Sequence, residues 1–223
     1  MGRHSAFHRR HCFNRFLLTV LFDDTYRTLN APAEGLFRDR GSKFLAFGYP
    51  VYSQEEIAAI IQRLKKEHPS ANHHCYAWRL GVAGDSYRAN DDGEPAGTAG
   101  KPIYNQILSA GITNVLIVVV RYFGGTLLGV SGLINAYKSA AAACISSGEI
   151  VEKQIMEIYR LEFQYDAMPA VMKILKDFEL KQSNQKFELE CELEFSVRKS
   201  EADPVVAALN SISSVKTSWI KTM

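Results

Sequence analysis

Apolar and polar positions follow three rhythms along this chain, and each rhythm predicts an element. Six apolar residues in a row, Val115–Val120, predict a strand buried on both faces. Residues 187–197 alternate strictly, with Phe187, Leu189, Cys191, Leu193 and Phe195 predicted inward and Glu188, Glu190, Glu192 and Glu194 outward. That is the signature of a half-buried strand. Ile57, Ile60, Ile61 and Leu64 recur at helical spacing behind Ser53-Gln54-Glu55-Glu56, a capping box, and Pro69 ends the helix.

The remaining segments fill in around these three. Phe37–Phe47 reads as a hairpin or one bent strand, broken at Gly41-Ser42. Asn72–Leu80 reads as a strand with Ser86–Asn90 as its short partner. A helix is expected from Pro102, well suited to a first helical position, with Thr98 or Gly100 just before it and Gly111 at its end. Another is expected with Ser131 as its cap and an apolar stripe through Leu133, Ile134, Tyr137, Ala140, Ala141, Cys144 and Ile145.

The pattern changes around Gly148–Lys153. Beyond it come strand 156–164, helix 167–178, strands 180–186 and 187–197, helix 200–212 and strand 215–220. This βαββαβ order is the ferredoxin-like unit. The expected class is therefore α+β, with one domain over residues 23–150 and a ferredoxin-like domain over residues 151–223. Residues 1–22 stand apart: basic, histidine-rich, with a short apolar end at Phe16–Phe22. A mis-started or disordered extension and a targeting peptide are the competing readings; the apolar core is short for a signal and no small-x-small site follows it.

Composition narrows the function classes. At 47% hydrophobic and 22% charged, the chain has the make-up of an ordinary soluble globular protein. No apolar run approaches the ~20 residues a membrane helix needs, so no membrane partner is expected. The net charge of +2 is uneven: residues 1–22 carry four arginines and no acid, residues 23–151 balance 12 basic against 12 acidic groups, and residues 152–223 hold 10 against 12. Non-specific duplex DNA binding, which rests on many uncompensated cations, is disfavoured. Cys12, Cys75, Cys144 and Cys191 are far apart and form no C-x-x-C pair. That usage fits a reduced, cytoplasmic protein, expected to be a monomer or weak homo-oligomer.

Candidate chemistry concentrates in two glycine-rich loops. Val115–Val120 runs into Arg121-Tyr122-Phe123, and Gly124, Gly125, Gly129 and Gly132 follow before a helix. A strand feeding a glycine loop at a helix start exposes backbone N–H groups to an anion. The alternative is that the glycines serve only tight turns and close packing. The second loop, residues 91–102, fails the phosphate-loop pattern because Pro95 and Pro102 stand where glycine and Ser/Thr are required. A nucleotide triphosphatase is disfavoured. Asp91, Asp92 and Glu94, with His74, are candidates for acid–base or cation chemistry, against a solvated acidic turn. His73-His74-Cys75 is no chelate, because neighbours on a strand point to opposite faces. No metal and no cofactor are predicted. The anion- or nucleic-acid-binding candidates are Arg121, Tyr122, Gly124, Gly125, Lys101, Arg88, Thr98 and Lys138.

Three motifs, in this order and spacing, resemble the YigZ/IMPACT family: Asn72-His73-His74-Cys75-Tyr76-Ala77-Trp78, then Asn90-Asp91-Asp92-Gly93-Glu94-Pro95-x-Gly97-Thr98-Ala99-Gly100, then Val120-Arg121-Tyr122-Phe123-Gly124-Gly125-x-x-Leu128-Gly129-x-x-Gly132-Leu133. The resemblance covers residues 25–148 closely and residues 155–221 more loosely. It implies a first domain similar to the fourth domain of elongation factor G and a ferredoxin-like second domain. It also implies a cytoplasmic protein linked to translation, for which nucleic-acid binding has been suggested in the bacterial branch. The eukaryotic branch regulates translation initiation through an additional domain that this sequence does not show. A lysine and an arginine frequent in the family are replaced here by Leu127 and Asn135.

These readings lead to an RNA- or ribosome-associated factor that binds phosphate through the two glycine loops, with Tyr122 or Phe123 available to stack on a base. An enzyme on a small phosphorylated or acyl substrate is the first alternative, although no nucleophile–base–orienter set is legible from spacing. A protein-interaction module, with the acidic strand Glu188–Glu194 as one surface, is the second.

Overall fold

The computed structural model describes residues 24–223; the extension over residues 1–22, Cys12 included, lies outside the described residues. The first half runs β1 (Thr25–Leu29), β2 (Ala33–Asp39), β3 (Ser42–Pro50), α1 (Gln54–Glu67), β4 (His73–Leu80), β5 (Ser86–Asn90), α2 (Gly100–Ala110), β6 (Val115–Tyr122), α3 (Gly129–Ser147) and β7 (Ile150–Gln154). Five of these strands form one antiparallel sheet in the order β2-β3-β6-β4-β5. Residues 35–51 thus form a true hairpin, with Arg40 and Gly41 at its turn, both at positive φ.

The unbroken apolar run explains why β6 is central. Val115, Ile117 and Val119 enter a core with Phe44, Ala46, Cys75, Ala77, Ile103, Ile107 and the α3 stripe. Leu116, Val118 and Val120 point the other way, onto Ile57 and Leu64 of α1 and Trp78 of β4. Each buried side chain of this size contributes roughly 1.5–3 kcal/mol of transfer free energy. The sheet is therefore a middle layer, with α2 and α3 on one face and α1 on the other. Helix α3 presses onto β2 at Gly35, where any Cβ would collide with the Cys144 backbone. Ser53 caps α1 as expected, its Oγ accepting from Glu56 N at 3.2 Å.

Two helix starts differ from expectation. Helix α3 begins at Gly129 rather than after Ser131, and no side chain caps it. The chain turns in through a positive φ at Gly129, which a search for Ser/Thr caps does not detect. Helix α2 begins at Gly100, so Pro102 is its third residue, and Thr98 does not cap it: Thr98 Oγ1 donates to the Pro95 carbonyl at 2.7 Å.

The second half runs β8 (Met156–Gln164), α4 (Met168–Asp177), β9 (Lys181–Phe187), β10 (Glu190–Arg198), α5 (Ala202–Asn210) and β11 (Val215–Thr222), paired as β11-β8-β10-β9. This is the expected βαββαβ arrangement. Leu161, Phe163, Val171, Leu175, Leu193, Phe195, Val205 and Leu209 fill its core. Phe187 and Leu189 are not inward: Phe187 ends β9, Leu189 lies in the turn to β10 and is 90% exposed. The alternation runs on through a hairpin, and its buried phase begins only at Cys191. The glutamate row is also partly neutralised, because Arg160 lies 3.2 Å from Glu192 and 3.9 Å from Glu194.

β7 pairs with β1 in a separate two-stranded ribbon. At its end, Ile155 N donates to Asp24 O (2.8 Å), and Ile155 O accepts from Lys199 N (3.0 Å). The Asp24 carboxylate accepts from Arg198, and from Ser200 N and Oγ at 3.1 and 2.7 Å. Burial would raise the Asp24 pKa, but the hydrogen bonds from Ser200 and Arg198 outweigh it and hold the carboxyl below its usual range.

Candidate functional site

Antiparallel pairing brings the start of β3, the start of β4, the end of β5 and the end of β6 to one edge of the sheet. Both glycine loops leave from there. Asn72 N donates to Arg121 O (3.0 Å), and Asn72 Oδ1 accepts from Phe123 N (3.2 Å). Gly124 N donates to Ser42 Oγ at 3.1 Å. A Cβ on Gly124 would run into the backbone of Gly41 and Ser42, so glycine is required there for close approach.

The loop over residues 91–99 is filled from within. Asp91 Oδ1 accepts from Ala99 N (3.0 Å) and Gly100 N (2.8 Å), and Oδ2 accepts from Gly97 N (2.9 Å). A carboxylate of the chain thus occupies the N-terminus of α2, where an external anion was expected. Burial pushes the Asp91 pKa up, yet the hydrogen bonds from Gly97, Gly100 and Ala99 prevail and keep it low. Asp92 is committed as well: its carboxylate accepts from His74 N at 2.7 Å and Lys65 Nζ at 3.2 Å. Its pKa is lowered, burial being overcome by the His74 N–H and Lys65. Neither aspartate is a free acid or base in this arrangement.

Behind the loops lies a buried polar cluster. Glu94 Oε1 accepts from Arg121 Nη1 (2.6 Å) and from the Tyr137 hydroxyl (2.7 Å). Arg121, expected on the surface facing phosphate, is only 6% exposed. Its charge is matched by Glu94, and its guanidinium lies 5.5 Å from the Phe44 ring centroid and 5.6 Å from that of Phe123. Cys75 Sγ is 2.9 Å from Asp91 O and 3.3 Å from Tyr137 Oη. Burial pushes the pKa values of both Cys75 and Tyr137 far up, so neither is a ready nucleophile.

His73 completes the cluster. Its Nδ1 lies 2.8 Å from Asp92 O, and a carbonyl can only accept, so Nδ1 carries the proton. In the neutral ring Nε2 is then bare, 3.9 Å from Glu94 Oε1. His74, the expected candidate, points to the α1 face; burial lowers its pKa, and Nε2 has no hydrogen-bond partner. Among the described residues, no three His, Cys, Asp or Glu side chains are placed to hold a metal ion.

The other candidates separate into distinct places. Lys101 and Lys138 come together, lining one groove of about 480 Å³ between α2 and α3 with Gly97, Asn105, Gln106 and Ile134. Arg88 lies opposite Trp78 and so shares the α1 face of the sheet, away from that groove. Tyr122 is half-buried on that face too, its hydroxyl 2.8 Å from His68 Nδ1. Thr98 is buried. Like Gly97 in the other loop, Gly125 and Gly129 have positive φ and open space where a Cβ would stand. Beside them Phe123 is 45% exposed, Leu127 82%, and Val130 is exposed on the first turn of α3.

Sequence reasoning passed over His73 and Tyr137; it names Phe123 beside Tyr122 as a stacking side chain, but not the mounting of its ring against Arg121. The period-two rule already put His73 on the same face as Cys75, but Tyr137 looked like one more member of an apolar stripe. Its hydroxyl becomes meaningful only once α3 lies across β2 and β3 and brings it to Glu94 and Cys75.

The chain resembles known proteins in sequence and in shape. The model of the Impact N-terminal domain matches residues 40–145, which contain both loops and the buried cluster. IMPACT family member YigZ of Escherichia coli is 35% identical over 147 residues, 65% of this chain and 72% of its own. IMPACT family member YvyE of Bacillus subtilis is 32% identical over 153 residues, 69% of this chain and 70% of its own. The crystal structure of a hypothetical protein, 28% identical, superposes with a TM-score of 0.72 over 89% of this chain and 98% of that one. The chain belongs to the IMPACT family.

Proposed function

We propose that this protein is a translation-associated factor that contacts RNA or the ribosome through the α2–α3 groove and the loop that follows β6. The observation that carries the reading is the meeting of Lys101 and Lys138 in one groove between α2 and α3. Two uncompensated lysines suit a short phosphate track, and the family's resemblance to translation factors supplies the setting. Arg121 supports the surface from behind.

Co-sedimentation of the purified chain with ribosomes, and its titration with short RNAs across salt, test this. Two phosphate contacts predict a log–log salt slope of about −1.4 on a single strand. The Lys101→Ala/Lys138→Ala variant should abolish most of that slope while folding normally. Unchanged binding in that variant refutes the groove as the contact.

An acid–base enzyme is the second reading, favoured by His73 Nε2 lying 3.9 Å from Glu94 Oε1. Its weakness is that Glu94 is already engaged by two donors. Turnover on a panel of phosphoesters and acyl esters, lost in His73→Gln, would establish it; no turnover removes it.

A further inference from the structure

We infer that Phe123 is a preformed stacking plate for an unpaired base, which makes the RNA partner a single-stranded segment rather than a duplex. This rests on the reading above and adds a substrate class to it.

Phe123 is one residue beyond β6. Its N–H is fixed by Asn72, and the next residue, Gly124, is wedged against the β2–β3 turn. Arg121 lies within cation–π distance of the rings of both Phe44 and Phe123. Glu94 locks Arg121, and Tyr137 locks Glu94. The exposed part of the Phe123 ring is therefore held before any partner arrives, so little ordering cost remains for binding. An aromatic with one supported side and one open side takes a base of any identity, because every base has a π-face.

Charge argues for an unpaired strand as well. Residues 24–223 carry 22 basic and 23 acidic groups, so no broad cationic field faces a duplex. A strand needs only a few phosphate contacts plus stacking; Lys101 and Lys138 in the groove offer the first, and Phe123, outside the groove lining, offers the second. Asn105 and Gln106 in the same groove offer amides to base edges. In this scheme Arg121 is a positioning residue that acts through Phe123.

The test uses the full chain, a ten-nucleotide RNA carrying one 2-aminopurine, and the same RNA in a duplex. The strand should bind at least about tenfold more tightly than the duplex, with a change in 2-aminopurine fluorescence. Phe123→Ala should lose about tenfold in strand affinity, the size of one base–aromatic stack, and the fluorescence change with it. Phe123→Tyr should keep both. Arg121→Lys, which keeps the charge without the planar face, should weaken strand binding in the parent and have no further effect in Phe123→Ala. A merely structural Arg121 would weaken both. Equal binding of strand and duplex, or wild-type binding by Phe123→Ala, overturns the inference. Ribosome binding that still depends on Lys101 and Lys138 would then leave the broader reading standing. Loss of all RNA and ribosome binding would remove both.

Discussion

Two glycine-rich loops sit side by side at one edge of the same sheet, and each opens a helix. The loop over residues 91–99 is filled by its own Asp91, whose carboxylate takes three backbone N–H groups. In the loop over residues 123–128, side chains of Asn72 and Ser42 take only the first two N–H groups, those of Phe123 and Gly124, and beyond them Leu127 stands out into solvent. Similar composition thus serves opposite ends. A glycine loop is a site for a ligand only if the chain supplies no occupant of its own. Here the first loop is architecture that braces the buried Glu94–Arg121 pair, and the second is the exposed surface that this bracing presents.

The contrast can be broken most forcefully at the brace. Glu94→Ala leaves Arg121 buried without its counter-charge and should cost about 3–5 kcal/mol in urea denaturation. A loss below about 1 kcal/mol would mean that Arg121 swings to solvent and that the brace is not one.

Asp91→Ala should cost less, about 2–3 kcal/mol, because it strips the acceptor from three donors that water can partly reach. It also vacates the cradle, so millimolar inorganic phosphate should raise the melting temperature of this variant and not that of the parent. No phosphate effect would show that the loop collapses without its carboxylate.

The pH dependence follows from the same groups. Asp24, Asp91 and Asp92 all have folded pKa values below their ordinary ones. Such groups contribute stability that is complete above the unfolded value, about 3.9, and is lost as pH falls through the folded values. Stability should therefore drop steeply below about pH 4, and Asp91→Ala should flatten part of that drop. A parent stability independent of pH in that range would contradict the pairing of all three.

The open loop should be far more tolerant. Gly125→Ala meets no neighbour, and only its positive φ resists, at about 1–2 kcal/mol. Leu127→Ser should stay within about 0.5 kcal/mol in stability, as for other exposed positions. A larger cost at Leu127 would mean that the loop is packed in solution, and the contrast between the loops would fail.

Much of this was legible in the sequence, and the failures have physical causes. The six apolar residues of β6 could only be a strand covered on both sides, and the second half declared its βαββαβ order. β1 and β7 were missed because Thr25–Leu29 and Ile150–Gln154 lack a clean alternation: their ribbon is half-exposed and stands outside both sheets. Phe187 and Leu189 kept the right period but fell at a strand end and in a turn, which periodicity cannot reveal. At the candidate site, the motifs marked two loops that the fold does bring to one end of the sheet. They could not show that Asp92 and Gly93 take positive φ and fold the chain back, so that Asp91 reaches N–H groups six to nine residues ahead. Nor could they show Arg121 turning inward, since its partner Glu94 lies in another loop.

β6 has one more consequence, in time rather than in space. A strand covered on both faces and paired along both edges offers its amides to solvent only when the whole domain opens. Its hydrogen exchange should be the slowest in the chain. Phe123 stands one residue beyond that strand, so a half-exposed aromatic ring is mounted directly on the most protected strand of the domain. A partner arriving there would meet a fixed shape and would have to do the adapting itself.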